Sequence, residues 1–332
     1  MPGFSGITGH ERIIEYFRHS IENHKISHSY ILSGEDGVGK MMVARAFAQA
    51  LLCENYDGDS CGKCHSCVRF ESDNHPDVIY LKHEKSSIGV DDVRAALVGD
   101  IQIKPYDGKY KIYIIDEAEL MTPAAQNAIL KTIEEPPSYA VIILLTNNED
   151  IFLPTILSRC ITLKLRPLDD RLVKEALQGR YGLSEYDADI FASFARGSIG
   201  QALKLSKSEG FAQMISRVLQ VLKHIYEMDI SELLKFINEL KDSGIDLISA
   251  LEFMQIWYRD VLLFKATKDT SMFIFKDEYR YIMNTANTVS FGGLDNILKA
   301  IEKAKTRLNA NVNPELAMEL MFITIIESRE ES

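Results

Sequence analysis

The sequence predicts an α/β module built on a parallel sheet, followed by an all-helical second half. Short apolar runs alternate with helical stretches as far as "ITLKL", and a glycine-rich phosphate-binding loop stands between the first run and the helix after it. Beyond Gly210 strand-like alternation stops and amphipathic helical periodicity takes over.

The elements follow in order. "HSYILSG" reads as a strand that leads into "GEDGVGKM", and "KMMVARAFAQALL" follows as a helix with Val43, Phe47, Ala50 and Leu51 on one face. "DVIYL", "KIYIID" and "AVIILLTNN" are short runs apolar on both faces, which suits parallel strands covered on both sides. "TPAAQNAILKTIEEPP" reads as a helix with Thr122 as N-cap, Pro123 in the first position and a stop at Pro136 and Pro137. In the second half, "ALEFMQIWYRDVLLF" places Leu251, Met254, Trp257, Val261 and Leu262 at helical spacing, and "LDNILKAIEKAKTRL" repeats the pattern. A tryptophan and methionine stripe of this kind is expected to be core and not a ligand pocket.

The loop carries the first chemical signal. Gly34, Gly37 and Gly39 let backbone N–H groups curl around phosphate oxygens, and Lys40 reaches the outer phosphates. The next position normally gives a hydroxyl to Mg²⁺, and here it is Met41, whose thioether is a poor ligand for a hard cation. ATP with Mg²⁺ is therefore expected to bind weakly if at all. Asp116 and Glu117 end the run "KIYIID" at the carboxyl end of a buried strand, where ligands collect in open α/β sheets. The pair resembles a Walker B motif, with Asp116 toward the metal and Glu117 toward an attacking water, which Asn147 after "ILLT" would help to position.

Cys53, Cys61, Cys64 and Cys67 form the second signal, in the pattern C-x7-C-x2-C-x2-C. Two-residue spacings let pairs of sulfurs converge, and four thiolates close a tetrahedral structural Zn²⁺ site with no open position for catalysis. His65 and His75 are expected to face solvent, and Cys160 to be a small buried residue outside the metal set.

Lys+Arg of 37 against Asp+Glu of 48 gives a net charge of -11, which disfavours a chain-wide grip on nucleic acid and an independent zinc-dependent DNA-binding role. No signal peptide and no run of roughly 18 apolar residues is present, so a cytoplasmic protein is expected.

Taken in order, the loop, "DEAE", "AAQNAILKTIEEPP", "ILLTNN" and "LPTILSRC" resemble the AAA+ modules of clamp-loader subunits. The four-cysteine insertion is similarly placed in bacterial members, and "NPELAMELMFI" is similar to the last helix of their collar. The resemblance implies an AAA+ module over residues 1–167 with a zinc insertion at 53–67, a helical lid over 168–209, and an oligomerising helical collar over 210–332. It implies partners of the gamma/tau and delta type, with the sliding clamp and primer-template DNA reached through the complex, as part of a DNA polymerase holoenzyme. It also implies that Arg159, in "SRC", is an arginine finger donated in trans. Members that hydrolyse ATP carry Ser or Thr where Met41 stands, and an arginine where "GSIGQA" has Gln201. Weak or absent intrinsic ATPase activity is therefore expected; the alternative is a hydrolysing ATPase of the gamma/tau type.

Overall fold

The computed structural model describes residues 3–81, 87–242, 246–271, 273–310 and 312–329. The first two residues of the amino-terminal stretch and the last three of the expected collar lie outside these. The chain divides into two units, Met1–Ala176 with Ala195–Gln201, and Leu177–Phe194 with Ala202–Ser332.

The first unit runs α1 (Glu11–Glu22), β1 (Ser29–Ser33), α2 (Lys40–Leu52), α3 (His65–Glu71), β2 (Val78–Leu81), α4 (Val90–Val93), β3 (Lys111–Ile115), α5 (Pro123–Glu134), β4 (Ala140–Thr146), α6 (Pro154–Leu157) and β5 (Ile161–Lys164). The strands form one five-stranded sheet in the order β2-β3-β4-β1-β5, with every pair parallel.

β1, β3 and β4 are buried along their whole length because helices cover both faces. Alternate residues go to opposite layers: Val141, Ile143 and Leu145 join Phe17 of α1 and Phe47 of α2, while Ile142 and Leu144 join Ile129 and Ile133 of α5. Phe17, Phe47 and Tyr30 lock the first layer, with the two phenylalanine rings stacked at 3.9 Å. The apolar face of α2 is wider than its sequence stripe, since Ala44, Ala46, Ala48, Gln49 and Leu52 are buried as well. β2 and β5 are the edges, and β5 alternates half-buried and exposed residues. Thr122 caps α5 by accepting from Ala125 N at 3.2 Å, with Pro123 in the first position as the sequence predicts.

The connecting helices are α7 (Asp170–Tyr181), α8 (Glu185–Phe194) and α9 (Ile199–Ser206). Residues 170–176 of α7 and 199–201 of α9 belong to the first unit; beyond these helices the second unit holds α10 (Glu209–His224), α11 (Ile230–Asp242), α12 (Leu247–Thr267), α13 (Tyr279–Thr288), α14 (Phe291–Asn309) and α15 (Pro314–Glu327). α12 is its centre: Leu251, Met254, Trp257 and Val261 are fully buried, Leu262 is half-buried, and Trp257 packs 5.5 Å from Phe275. The tryptophan and methionine stripe is core. Among the described residues no helix is long and apolar enough to cross a membrane.

Candidate nucleotide and metal sites

The sheet register brings the first candidate site together. Ser33 pairs with Thr146 and Ile115 with Leu144, so Gly34, Asp116 and Asn147 leave three adjacent strands at the same edge. Gly34 N donates to Thr146 O at 3.0 Å, tying the start of the loop to the strand that carries Asn147. Asp116 is half-buried and accepts from Glu117 N at 3.0 Å, while Glu117 and Asn147 are exposed. Glu117 takes a left-handed conformation, φ 48°, that turns the chain sharply out of β3.

The loop itself is drawn in. Lys40 Nζ donates to Gly34 O at 2.6 Å and Glu35 O at 3.1 Å, and its nearest carboxylate is Asp36 at 3.5 Å. Gly37 has φ +76°, and a Cβ there would stand 2.4 Å from Ser198 Oγ and 3.1 Å from Gln201 N. The "GSIGQA" stretch thus sits directly on the loop, with Gln201 N held by Ser198 Oγ at 3.0 Å and the Gln201 side chain exposed. Met41 is half-buried and packs against the layer of Phe47 and Leu145. Gly37 and Gly39 both take positive φ, +76° and +106°, while the side chain at position 41 offers a metal ion no oxygen.

Beside it lies a cleft the sequence reading did not single out, of about 500 Å³, between residues 9–13 and the segment 164–172. Arg12, Lys164 and Arg166 line it with Glu11 and Asp169. His10, in the left-handed region at φ 60°, joins cleft to loop through a 2.9 Å contact of Nε2 with Val38 O. Its local mark in the sequence is the stretch "GHER", whose last two residues open α1.

The second candidate site is the cysteine cluster. The Sγ atoms of Cys53, Cys61, Cys64 and Cys67 all lie within 4.8 Å of one another. Ligands about 2.3 Å from a tetrahedral ion stand about 3.8 Å apart, so this set fits a thiolate-bound metal. Backbone amides already support the sulfurs: Cys61 N donates to Cys53 Sγ at 3.3 Å, Cys64 N to Cys61 Sγ at 3.3 Å, and Cys67 N to Cys64 Sγ at 3.4 Å. Donation from Lys63 and Cys64 pulls the Cys61 thiol down to about 6, whereas burial pushes Cys53 and Cys67 up.

The insertion is tied to the sheet by a buried polar relay. His65 is exposed as expected, but His75 is buried, because it accepts from Asp77 N at 3.2 Å through Nδ1 and donates from Nε2 to Ser66 Oγ at 3.0 Å. Burial lowers the His75 pKa below its usual value. The Asp77 carboxylate, fully buried, accepts from the amides of Tyr106, Asp107 and Gly108 at 2.6, 2.9 and 2.9 Å. Arg45 of α2 adds a second tie, reaching Asp73 at 2.6 Å and Tyr80 Oη at 2.8 Å while lying over Phe70.

Arg159 stands apart from both sites, exposed in the turn after α6. Its Nη1 donates to Thr155 O at 3.0 Å and Ser158 Oγ at 3.1 Å, and its Nη2 meets Glu134 Oε1 at 3.1 Å. Cys160 is half-buried against the α5 layer, where burial pushes its thiol up, and it takes no part in the cysteine cluster.

A family model described as "DNA polymerase III, delta subunit" matches residues 9–169, and another, "DNA polymerase III, delta subunit, C terminal", matches residues 210–327. The chain belongs to this family. The DNA polymerase III delta′ subunit of Bacillus subtilis is 28% identical over 325 residues, covering 95% of this chain and 96% of the relative. The tau subunit of the same organism is 27% identical across 99% of this chain, which spans 62% of that longer relative. A solved DNA polymerase III gamma-subunit-related protein from Thermotoga maritima aligns with 96% of this chain and 99% of its own at 21% identity and a TM-score of 0.43.

Proposed function

We propose that this chain is a clamp-loader subunit of the replicative polymerase that assists ATP-dependent loading of a sliding clamp onto primed DNA without being an efficient ATPase itself. One observation carries the reading: Met41, half-buried against the layer of Phe47 and Leu145, offers Mg²⁺ no oxygen at the last position of the loop, while Arg159 stands exposed in the turn after α6. The loop retains its fold and loses its chemistry. A guanidinium in an exposed position can meet the phosphates of a neighbour bidentately and stabilise transition-state charge there.

In this reading residues 168–209 act as a lid and 210–332 as the collar through which gamma/tau and delta type subunits assemble. Cys53, Cys61, Cys64 and Cys67 hold a structural Zn²⁺ that supplies a rigid cross-link and no catalysis. The cleft between residues 9–13 and 164–172 would take the base and ribose of any nucleotide whose phosphates reach Gly37, Gly39 and Lys40. A second reading, a hydrolysing ATPase of the gamma/tau type, is favoured by Asp116, Glu117 and Asn147, which sit at the same sheet edge as the loop.

The test is a reconstituted complex with wild-type ATPase subunits in which only this chain is changed. Fingers supplied in trans are worth about 10³ to 10⁵ in rate, so Arg159→Ala should sharply slow single-turnover ATP hydrolysis at the adjacent site, and Arg159→Lys should restore it only in part. Unchanged rates with verified incorporation would make Arg159 an ordinary surface residue.

A further inference from the structure

We propose that Glu134 is the positioning residue for Arg159, fixing the plane of its guanidinium before a neighbouring subunit's phosphates arrive. The inference rests on the reading of Arg159 as a finger donated in trans.

Two of the contacts to Arg159 are local. Thr155 O and Ser158 Oγ both take hydrogens from Nη1, which fixes one corner of the planar group. The third comes from 25 residues earlier, where Glu134 Oε1 holds Nη2 at 3.1 Å. Holding two nitrogens of a planar fork sets its orientation, which one anchored nitrogen cannot do.

The placement of Glu134 does not serve its own helix. It is the last residue of α5, and a carboxylate at a helix carboxyl terminus opposes the helix dipole. The Arg159 cation offsets that penalty. Both side chains are about two-fifths exposed, 41% and 42%, so the pair contributes little to stability, and its value lies in where it puts the guanidinium.

A buried side-chain amide links the two segments that carry the pair. Gln126, buried in α5, accepts from Leu153 N at 2.9 Å and donates to Ile151 O at 3.2 Å, clamping α5 to the segment that leads into α6. Glu134 and Arg159 therefore stand on two elements joined by a buried amide. A guanidinium presented this way loses less conformational freedom when it engages phosphate.

The experiment uses the same reconstituted complex and single-turnover ATP hydrolysis at the neighbouring site. Glu134→Ala should lower the rate constant about tenfold, with nucleotide affinity at that site and the unfolding midpoint of the subunit unchanged. Glu134→Gln should retain more activity, because its amide oxygen still accepts from Nη2. In an Arg159→Ala background, Glu134→Ala should cause no further loss. A Glu134→Ala rate equal to or above wild type would overturn the proposal, as would an equal fall with Arg159 already removed. A slow Arg159→Ala complex beside a normal Glu134→Ala complex would remove only the Glu134 assignment. Normal rates in Arg159→Ala would remove the finger reading and this inference with it.

Discussion

Lys40 donates to the carbonyl oxygen of Gly34 at 2.6 Å, inside the loop whose shape should present that ammonium to a phosphate. Any nucleotide entering the loop must compete with this bond and with the Glu35 carbonyl at 3.1 Å. Binding then depends on the lysine exchanging backbone oxygens for phosphate oxygens, and metal coordination has no help from Met41.

The isolated chain is expected to show little magnesium-dependent ATP turnover. Met41→Thr supplies a hydroxyl but leaves Gln201 in place of a cation, so turnover should stay low in the variant as well. Phosphate release under excess ATP checks this, with equilibrium titration of a labelled nucleotide as the companion measurement. Robust hydrolysis by the wild-type chain alone would favour the gamma/tau reading.

One Zn²⁺ per chain should accompany reduced protein purified without chelator. Structural zinc in small peptides is worth roughly 10 to 16 kcal/mol of apparent binding energy, so its removal should unfold the insertion. Hydrogen exchange should then rise over residues 53–75 and stay slow in β4. Elemental analysis finding no zinc would reject the assignment.

Asp77→Ala removes three charged-acceptor hydrogen bonds at a fully buried site and leaves the amides of Tyr106, Asp107 and Gly108 without their partner. A cost of about 3 kcal/mol is expected from bonds to charged groups. Chemical unfolding measures it, and hydrogen exchange at residues 106–108 should accelerate first. A loss below about 1 kcal/mol would mean that water replaces the carboxylate.

Asp260 of α12 gives a pH signature. Burial raises its carboxyl above the ordinary value, against the opposing pull of the Phe275 and Ile274 amides and of Arg259. Because the folded pKa is the higher one, the native state holds the proton more tightly. That contribution is complete below the unfolded value of about 3.9 and is lost as pH rises through the raised value. Asp260→Asn removes the titration and keeps an acceptor for both amides. The variant should therefore gain stability relative to wild type as pH increases from about 4 toward neutrality. Trp257, the single tryptophan, lies one turn away on the same helix and reports the transition by fluorescence. Parallel pH curves for the two proteins would refute the assignment.

Short-range chemistry decided how much was legible in advance. The loop spacing, the Thr122 cap, the cysteine spacing and the doubly apolar strands are all patterns within a few residues, where covalent geometry and helix or strand period dictate the outcome. Local pattern therefore sufficed for the α/β class, the glycine loop between β1 and α2, the missing hydroxyl at Met41 and the convergence of four sulfurs. It could not determine partners brought together by sheet order. His75 was expected in solvent and is buried because the insertion folds back onto the start of β2, where Ser66 and the Asp77 amide satisfy both ring nitrogens. The cleft between residues 9–13 and 164–172, the contact of Gly37 with "GSIGQA" and the hold of Glu134 on Arg159 join segments far apart in the chain. A polar residue has no periodic signature that names a distant partner. Closing those loops and removing water around the groups they join selects which polar side chains meet, and that happens only when the chain packs.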